Sequence, residues 1–190
     1  IADYFDKTMH LSVVSDEAFR LDASQAICML IDALRYLSDP EDKVACASLM
    51  MNYESGIKKQ GGDWDSLLTA RPEDVLPEAF VTGMETLRLM PLYELLEELF
   101  SLFEMKRIEE QDAYLFSFFD AVTEYLQNNS SDLDAFIRYW NETLCNKTIP
   151  SGEMDGIRIL SIHKSKGLEF HTVLIPYCDW KLENETNNQL

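Results

Sequence analysis

The sequence predicts a predominantly helical protein with a small β-containing part at its two ends. Three observations carry this. Apolar residues recur at i, i+3, i+4 and i+7 over most of residues 24–144, the spacing of one face of a helix. Strand-like text occurs in only two places, near residue 11 and from Ile157 onward. With 46% hydrophobic and 11% aromatic side chains, 190 residues can bury a proper core, which excludes a chain disordered throughout.

Taken in order, Leu11-Ser12-Val13-Val14 is a short β-like run. In 24–38, Ile27, Leu30, Ile31, Leu34 and Leu37 form one stripe behind Ser24, a residue type that caps helices. That helix should stop at Ser38-Asp39-Pro40, with Asp39 capping and Pro40 opening a second helix to about Tyr53. GIKKQGGD (56–63) reads as a turn, and shorter helices are expected over 63–70 and 77–90, bounded by Pro72, Pro77 and Pro91. Three further stripes follow: Leu92, Leu95, Leu96, Leu99 and Phe103; Leu115, Phe118, Phe119, Val122 and Leu126; Leu133, Phe136, Ile137, Trp140 and Leu144. With short polar connections at 104–111 and 128–132, they describe helices packed on one another. Finally IRILSI, from Ile157, alternates as a strand does, and Thr172-Val173-Leu174-Ile175-Pro176 is expected to be a second strand. A helical body over roughly 20–150 thus interrupts a β-containing piece whose parts lie at either end.

Formal charge is 16 minus 34, or −18, and it is unevenly spread. Residues 1–150 hold 12 basic and 28 acidic side chains, whereas 151–175 hold 3 of each. His163 and His171 lie in that neutral window. Cys28, Cys46, Cys145 and Cys178 include no C-x-x-C pair and read as reduced residues of an intracellular, cytoplasmic protein. The first residues, IADYFDKTMH, are mixed and polar, so no signal peptide is expected, and the five Asn-x-Ser/Thr triplets are taken as chance. No apolar run approaches the roughly 20 residues a membrane span needs. A start at Ile1 and a polar tail after a strand-like run read as those expected of a piece cut from a longer protein. No repeat period is visible.

Chemistry concentrates in the neutral window. Ser161, His163, Lys164, Ser165, Lys166, Gly167 and Glu169 crowd a loop between the two late strand-like runs. A hydroxyl, an imidazole, two ammonium groups and a glycine presented from a rigid strand end suit phosphate. A polar turn in a β-hairpin has the same residue types. Elsewhere, Glu94-Glu97-Glu98 and Glu109-Glu110-Asp112 lack nearby histidines and read as solvated helix faces, so no metal site is expected. Tyr114, Phe116, Phe118, Phe119 and Tyr125 lack interleaved Lys or Arg and read as core rather than as a base-stacking platform. Trp64, Trp140 and Trp180 have no assigned role.

The spelling of the loop is more specific than its composition. ILSIHKSKGLEFHTVLI closely resembles motif V of the UvrD, Rep and RecB type of superfamily-one DNA helicases, a buried strand followed by Thr-x-His-x-Ser/Ala-Lys-Gly-Leu-Glu-Phe and a second strand. His163, Ser165, Lys166, Gly167, Leu168, Glu169 and Phe170 match. His163-Lys164-Ser165-Lys166 looks most like the RecB and AddA branch, that of the beta subunit of ATP-dependent exonuclease V. Ser161 stands where the family usually has Thr, and His171 where it often has Pro. Upstream, Leu34 to Asp42 is similar to the family's Leu-Arg-x-Leu-x-x-Pro-x-Asp.

The resemblance implies a helical accessory insertion domain joined to a small fragment of an α/β RecA-like, P-loop NTPase motor domain. Residues 1–19 would be the motor's N-terminal piece, 20–150 the insertion and 151–190 the motor fragment with motif V. It implies that Ser161, His163 and Lys164 face the phosphates of single-stranded DNA, that Gly167 and Glu169 approach the nucleotide with the carboxylate accepting from the ribose hydroxyls, and that Ser165 and Lys166 support the motif. It implies ATP and Mg2+ as cofactors of the parent, DNA repair and recombination as its setting, an exonuclease as an additional activity, and helicase–nuclease partner subunits. The chain has no G-x-x-x-x-G-K-[ST] loop: Gly56 to Gly61 continues Gly62-Asp63 without the lysine. No catalytic residue is therefore expected in this fragment, and none of these cofactors is expected on it. The rival reading is a non-enzymatic acidic helical module that binds a basic protein partner.

Overall fold

The Ser24 hydroxyl accepts from the Ile27 backbone N–H at 3.2 Å and so starts helix α1 (Gln25–Ser38) at the position its sequence predicts. The structure, a computed structural model, describes residues 5, 8–9, 13–15, 20–59, 64–149 and 157–176. These fall into two compact units divided between Ile159 and Leu160.

In the first unit, strand β1 (Val13–Ser15) precedes a run of helices: α1, α2 (Lys43–Tyr53), α3 (Trp64–Thr69), α4 (Pro72–Val75), α5 (Glu78–Leu87), α6 (Leu92–Leu102), α7 (Asp112–Asn128) and α8 (Leu133–Glu142). Strand β2 (Ile157–Ile159) closes the unit. The fold is predominantly helical. β1 and β2 pair in parallel, Val13 opposite Ile157 and Ser15 opposite Ile159. Parallel neighbours need a long crossover, and here the whole helical body is that crossover. Where the chain enters and leaves the body, Leu21 N–H donates to the Lys147 carbonyl at 2.9 Å and Arg20 forms an antiparallel bridge with Thr148.

Helix α1 is the centre of the body. The periodicity predicts a single stripe, yet Ala26, Ile27, Met29, Leu30, Ile31, Asp32, Ala33, Leu34, Tyr36 and Leu37 are all buried. A helix that is apolar nearly all round must be covered on every side, and α2, α6, α7 and α8 pack against it. Two aromatic clusters fill the remaining space. Phe80 and Phe103, both fully buried, lie 4.9 Å apart between Tyr36 and Tyr53. Phe118 meets Phe119, Phe136 and Trp140 edge-on, which gives Trp140 its place. The aromatic row on α7 is core at Phe118 and Tyr125, but Phe116 is 74% exposed, so its assignment to the core is corrected.

Several boundaries differ from expectation. Asp42, not Asp39, caps the second helix, its carboxylate accepting from Val44 N–H and Ala45 N–H at 2.9 and 3.0 Å; Pro40 sits in the turn before it. A carboxylate that reaches two free amides outcompetes a proline at the first position. The expected turn at 56–63 begins as a π-helical turn, Glu54–Lys58, where the Gly56 backbone comes so close to Gln25 that an added Cβ would lie 3.0 Å from its amide nitrogen. Residues 60–63 lie outside the described residues. The helix expected over 77–90 ends at Leu87, and 72–75 supplies a short extra one, opened by Pro72. The early strand is Val13–Ser15, residues 11–12 lying outside the described residues.

The largest correction concerns the end of the chain. The strand in IRILSI stops at Ile159, and 172–176 forms no strand. A strand exists only where a neighbour satisfies its backbone groups, and among the described residues none pairs with 172–175. Val173 and Leu174 are accordingly 62% and 70% exposed.

Candidate functional site

The second unit holds every candidate residue singled out in the sequence. Just past β2 the chain turns back on itself. Ser165 N–H donates to the Ser161 carbonyl at 3.0 Å, a single helical turn, and the Ser161 hydroxyl accepts weakly from Lys164 N–H at 3.4 Å in the manner of an N-cap. Lys166 N–H reaches the His163 carbonyl at 3.4 Å and Leu168 N–H the Ser165 carbonyl at 3.1 Å. The turn therefore runs from Ser161 to Leu168, and its last step passes through Gly167.

Gly167 sits at φ +84°, a conformation that favours glycine, and nothing lies within 4 Å of where a Cβ would be. The glycine is there for its backbone angle and not to make room for a neighbour. Ser161, His163, Lys164, Lys166, Gly167 and Glu169 are exposed, and Ser165 is half-buried. Among the described residues no hydrogen bond or ion pair engages the Glu169 carboxylate or the Lys166 ammonium. His171, which follows the matching run, has its Nδ1 3.2 Å from the Thr172 hydroxyl.

This arrangement has two chemical faces. His163, Lys164 and Lys166 offer donors and positive charge, which suit phosphate. Glu169 offers an acceptor and negative charge, which suits neutral hydroxyls and repels phosphate. The two kinds of group thus suit different parts of a nucleic acid or nucleotide, the cationic side chains a phosphate and the Glu169 carboxylate a sugar hydroxyl.

Among the described residues the helical body supplies no rival site of comparable chemistry. The one buried carboxylate among the described residues, Asp32, accepts from the Ser48 hydroxyl at 2.5 Å, the Asn52 amide at 3.1 Å and Arg35 at 3.2 Å, and Arg35 in turn donates to Asn141 at 2.7 Å. Burial raises its pKa, with those partners lowering it in part. No buried polar side-chain atom of that network lacks a partner, so it joins α1 to α2 and α1 to α8 as a structural tie. A groove of about 280 Å³ lies between Arg88, Leu92 and Asp134, where the Ser38 hydroxyl bonds to the Asp134 carboxylate. Among the described residues no group of three His, Cys, Asp or Glu is placed to hold a metal ion, and no helix is long and apolar enough to cross a membrane. Cys28, Cys46 and Cys145 are unpaired thiols, Cys28 pushed up to about 11 chiefly by burial.

The sequence singles out the loop residues but not the bond Ser165 makes: its side chain donates to the Ile162 carbonyl at 2.9 Å, and no pattern of residue types signals that bond. Compared with known families, residues 69–186 match the model of the UvrD-like helicase C-terminal domain, more than half of the chain and the whole of the loop. No curated protein and no solved structure matches.

Proposed function

The chain belongs to the UvrD-like helicase C-terminal domain family, and from that premise we propose that it couples ATP binding to tracking along single-stranded DNA in a helicase of DNA repair and recombination. The observation that carries this reading is the exposed turn from Ser161 to Glu169, which offers phosphate-seeking and sugar-seeking groups within nine consecutive residues of a matched helicase segment. In this reading Ser161, His163 and Lys164 meet the DNA backbone, Gly167 and Glu169 meet the nucleotide, and Ser165 and Lys166 hold the turn. Residues 1–19 and 151–190 belong to a RecA-like motor domain, and 20–150 is its accessory insertion. The parent is of the RecB and AddA branch, cytoplasmic, with an exonuclease and partner subunits. ATP and Mg2+ are bound by the parent, whose other segments supply the phosphate cradle this chain does not contain.

An acidic interaction module remains the rival, supported by the surplus of 16 negative charges over residues 1–150. Turnover by the parent protein separates the two. Single-stranded DNA should stimulate its ATP hydrolysis, and His163→Ala should reduce that stimulation; a parent without DNA-dependent turnover, or one indifferent to the substitution, leaves the module.

A further inference from the structure

Two grooves, of about 280 and 250 Å³, open beside the C-terminal end of α1, and Ser38 and Asp134 stand in the walls of both. Leu92 and Leu95 of α6, both buried, give the first an apolar floor, and Ile137 of α8 lines the second. Four carboxylates line the pair, Asp132 and Asp134 in the first and Asp39, Asp42 and again Asp134 in the second. Of the cations there, Arg35 is held by Asp32 and Asn141, which leaves Arg88 and Arg138 to face them.

The two most exposed large apolar side chains among the described residues flank the same place. Leu89, 87% exposed, stands between the lining residues Arg88 and Met90. Val44, 79% exposed, lies in the first turn of α2, its N–H donating to the carboxylate of the lining Asp42 at 2.9 Å. A single exposed apolar residue is ordinary. Two that flank a groove with an apolar floor have the pattern of a surface that another molecule covers.

Charge selects that molecule. Residues 20–149 hold 11 basic and 24 acidic side chains, a balance of −13. Among the described residues, seven of those eleven cations are already paired with carboxylates at 2.5 to 3.6 Å. A nucleic acid would find few charges to neutralise its phosphates, and an acidic protein would be repelled. A cationic one is drawn in and oriented.

From groove, rim and charge together we propose that the paired grooves dock a basic segment of a partner protein, one in which an apolar side chain stands beside lysines or arginines. The apolar side chain enters over Leu92 and Leu95 beside Leu89, and the cations meet Asp39, Asp42, Asp132 and Asp134. The site lies on the helical body and makes no use of the turn at 161–169, so its failure would leave the reading of that turn untouched.

The test titrates the 190-residue chain with the hexapeptides KKLKKL, KKGKKG and EELEEL at about 150 mM salt, followed by amide chemical shifts. KKLKKL should bind with a Kd below about 1 mM, at least about fivefold more tightly than KKGKKG because its leucines are buried, and EELEEL should not bind. The shifts should centre on residues 38–44, 88–92 and 131–138. Asp39→Asn with Asp134→Asn should weaken binding about three- to ten-fold, and Leu89→Ser by a comparable factor.

The control is the acidic cluster at the other end of α1. Ser24, which caps that end, donates to Gln111 at 2.6 Å, and a helix of 14 residues sets the cluster about 20 Å from the grooves. Glu109→Gln, Glu110→Gln and Asp112→Asn together remove more charge than the groove variant yet should change the Kd by less than about twofold. No binding of KKLKKL, equal binding of KKGKKG, shifts centred outside the grooves, or equal weakening by the control each overturns the proposal. The shift map needs no variant, so it decides even where a substituted chain fails to fold.

Discussion

Leu21 and Lys147 meet across the base of the helical body, the N–H of one donating to the carbonyl of the other at 2.9 Å. Among the described residues no strand lies between them, so this bond, the Arg20–Thr148 bridge beside it and the parallel pair β1–β2 together pin the start of the body to its end. Leu21 is fully buried as well as hydrogen-bonded. Leu21→Ala should cost about 2–5 kcal/mol through the cavity it leaves. Chemical denaturation of the native and variant chains checks this; a loss below about 1 kcal/mol would mean that the neck is not packed as described.

A second prediction concerns pH. Burial raises the Asp32 carboxyl above its ordinary value of 3.8, with Ser48, Arg35 and Asn52 offsetting part of that. A carboxyl whose folded pKa is raised lends stability that is complete below the unfolded value and is lost as pH rises through the folded one. Asp32→Asn removes that dependence. Between about pH 4 and pH 7, the stability of the variant relative to the native chain should shift in the variant's favour. Denaturant melts of both at the two pH values decide it; a constant difference, or a shift the other way, contradicts the assignment of burial as the dominant cause.

A third prediction concerns the chain by itself. Affinity for nucleic acid rests mainly on phosphates neutralised and counterions released. A chain of net charge −18, with Arg158, Lys164 and Lys166 the only cations in its neutral window, has few to offer. It should bind single-stranded DNA more weakly than micromolar at about 150 mM salt and should hydrolyse no ATP. Fluorescence anisotropy and a phosphate-release assay check these expectations; submicromolar binding or DNA-stimulated turnover would be the contrary result.

A fourth prediction is local. Gly167 adopts φ +84°, and the space around it is open, so Gly167→Ala is disfavoured by backbone conformation alone, by about 1–2 kcal/mol. Since the turn is exposed, the cost should appear as a changed loop and not as a lowered melting temperature. Chemical shifts of Ser165, Lys166 and Leu168 should move while those of α1 stay put. A shifted α1 or a lowered melting temperature would contradict this.

The fold was legible wherever a local rule decided the outcome. Ser24 is a good capping residue in front of a clean stripe, and α1 starts behind it. It failed where two local rules competed, as at Asp39, Pro40 and Asp42, or where the outcome depended on a neighbour distant in sequence. Thr172-Val173-Leu174-Ile175 has every intrinsic preference of a strand, yet no described residue pairs with it. The total burial of α1 was likewise invisible, because periodicity reports the width of an apolar stripe and not how many helices gather round it. The candidate loop was legible from the spelling of HKSKGLEF; the Ser165 to Ile162 bond was not, because a serine in a turn has several carbonyls within reach and only the folded backbone selects one.

The central claim is that one short turn serves two ligands, and the kinetics of His163→Ala and Glu169→Ala in the full-length parent test it most directly. His163→Ala should weaken DNA-stimulated turnover several-fold and leave basal turnover nearly unchanged. Glu169→Ala, having lost a hydrogen bond worth roughly 0.5–1.5 kcal/mol, should raise the KM for ATP several-fold without inactivating the enzyme. If both variants show the same uniform loss, together with a lowered melting temperature, the turn is structural and the division of its residues between DNA and nucleotide is wrong.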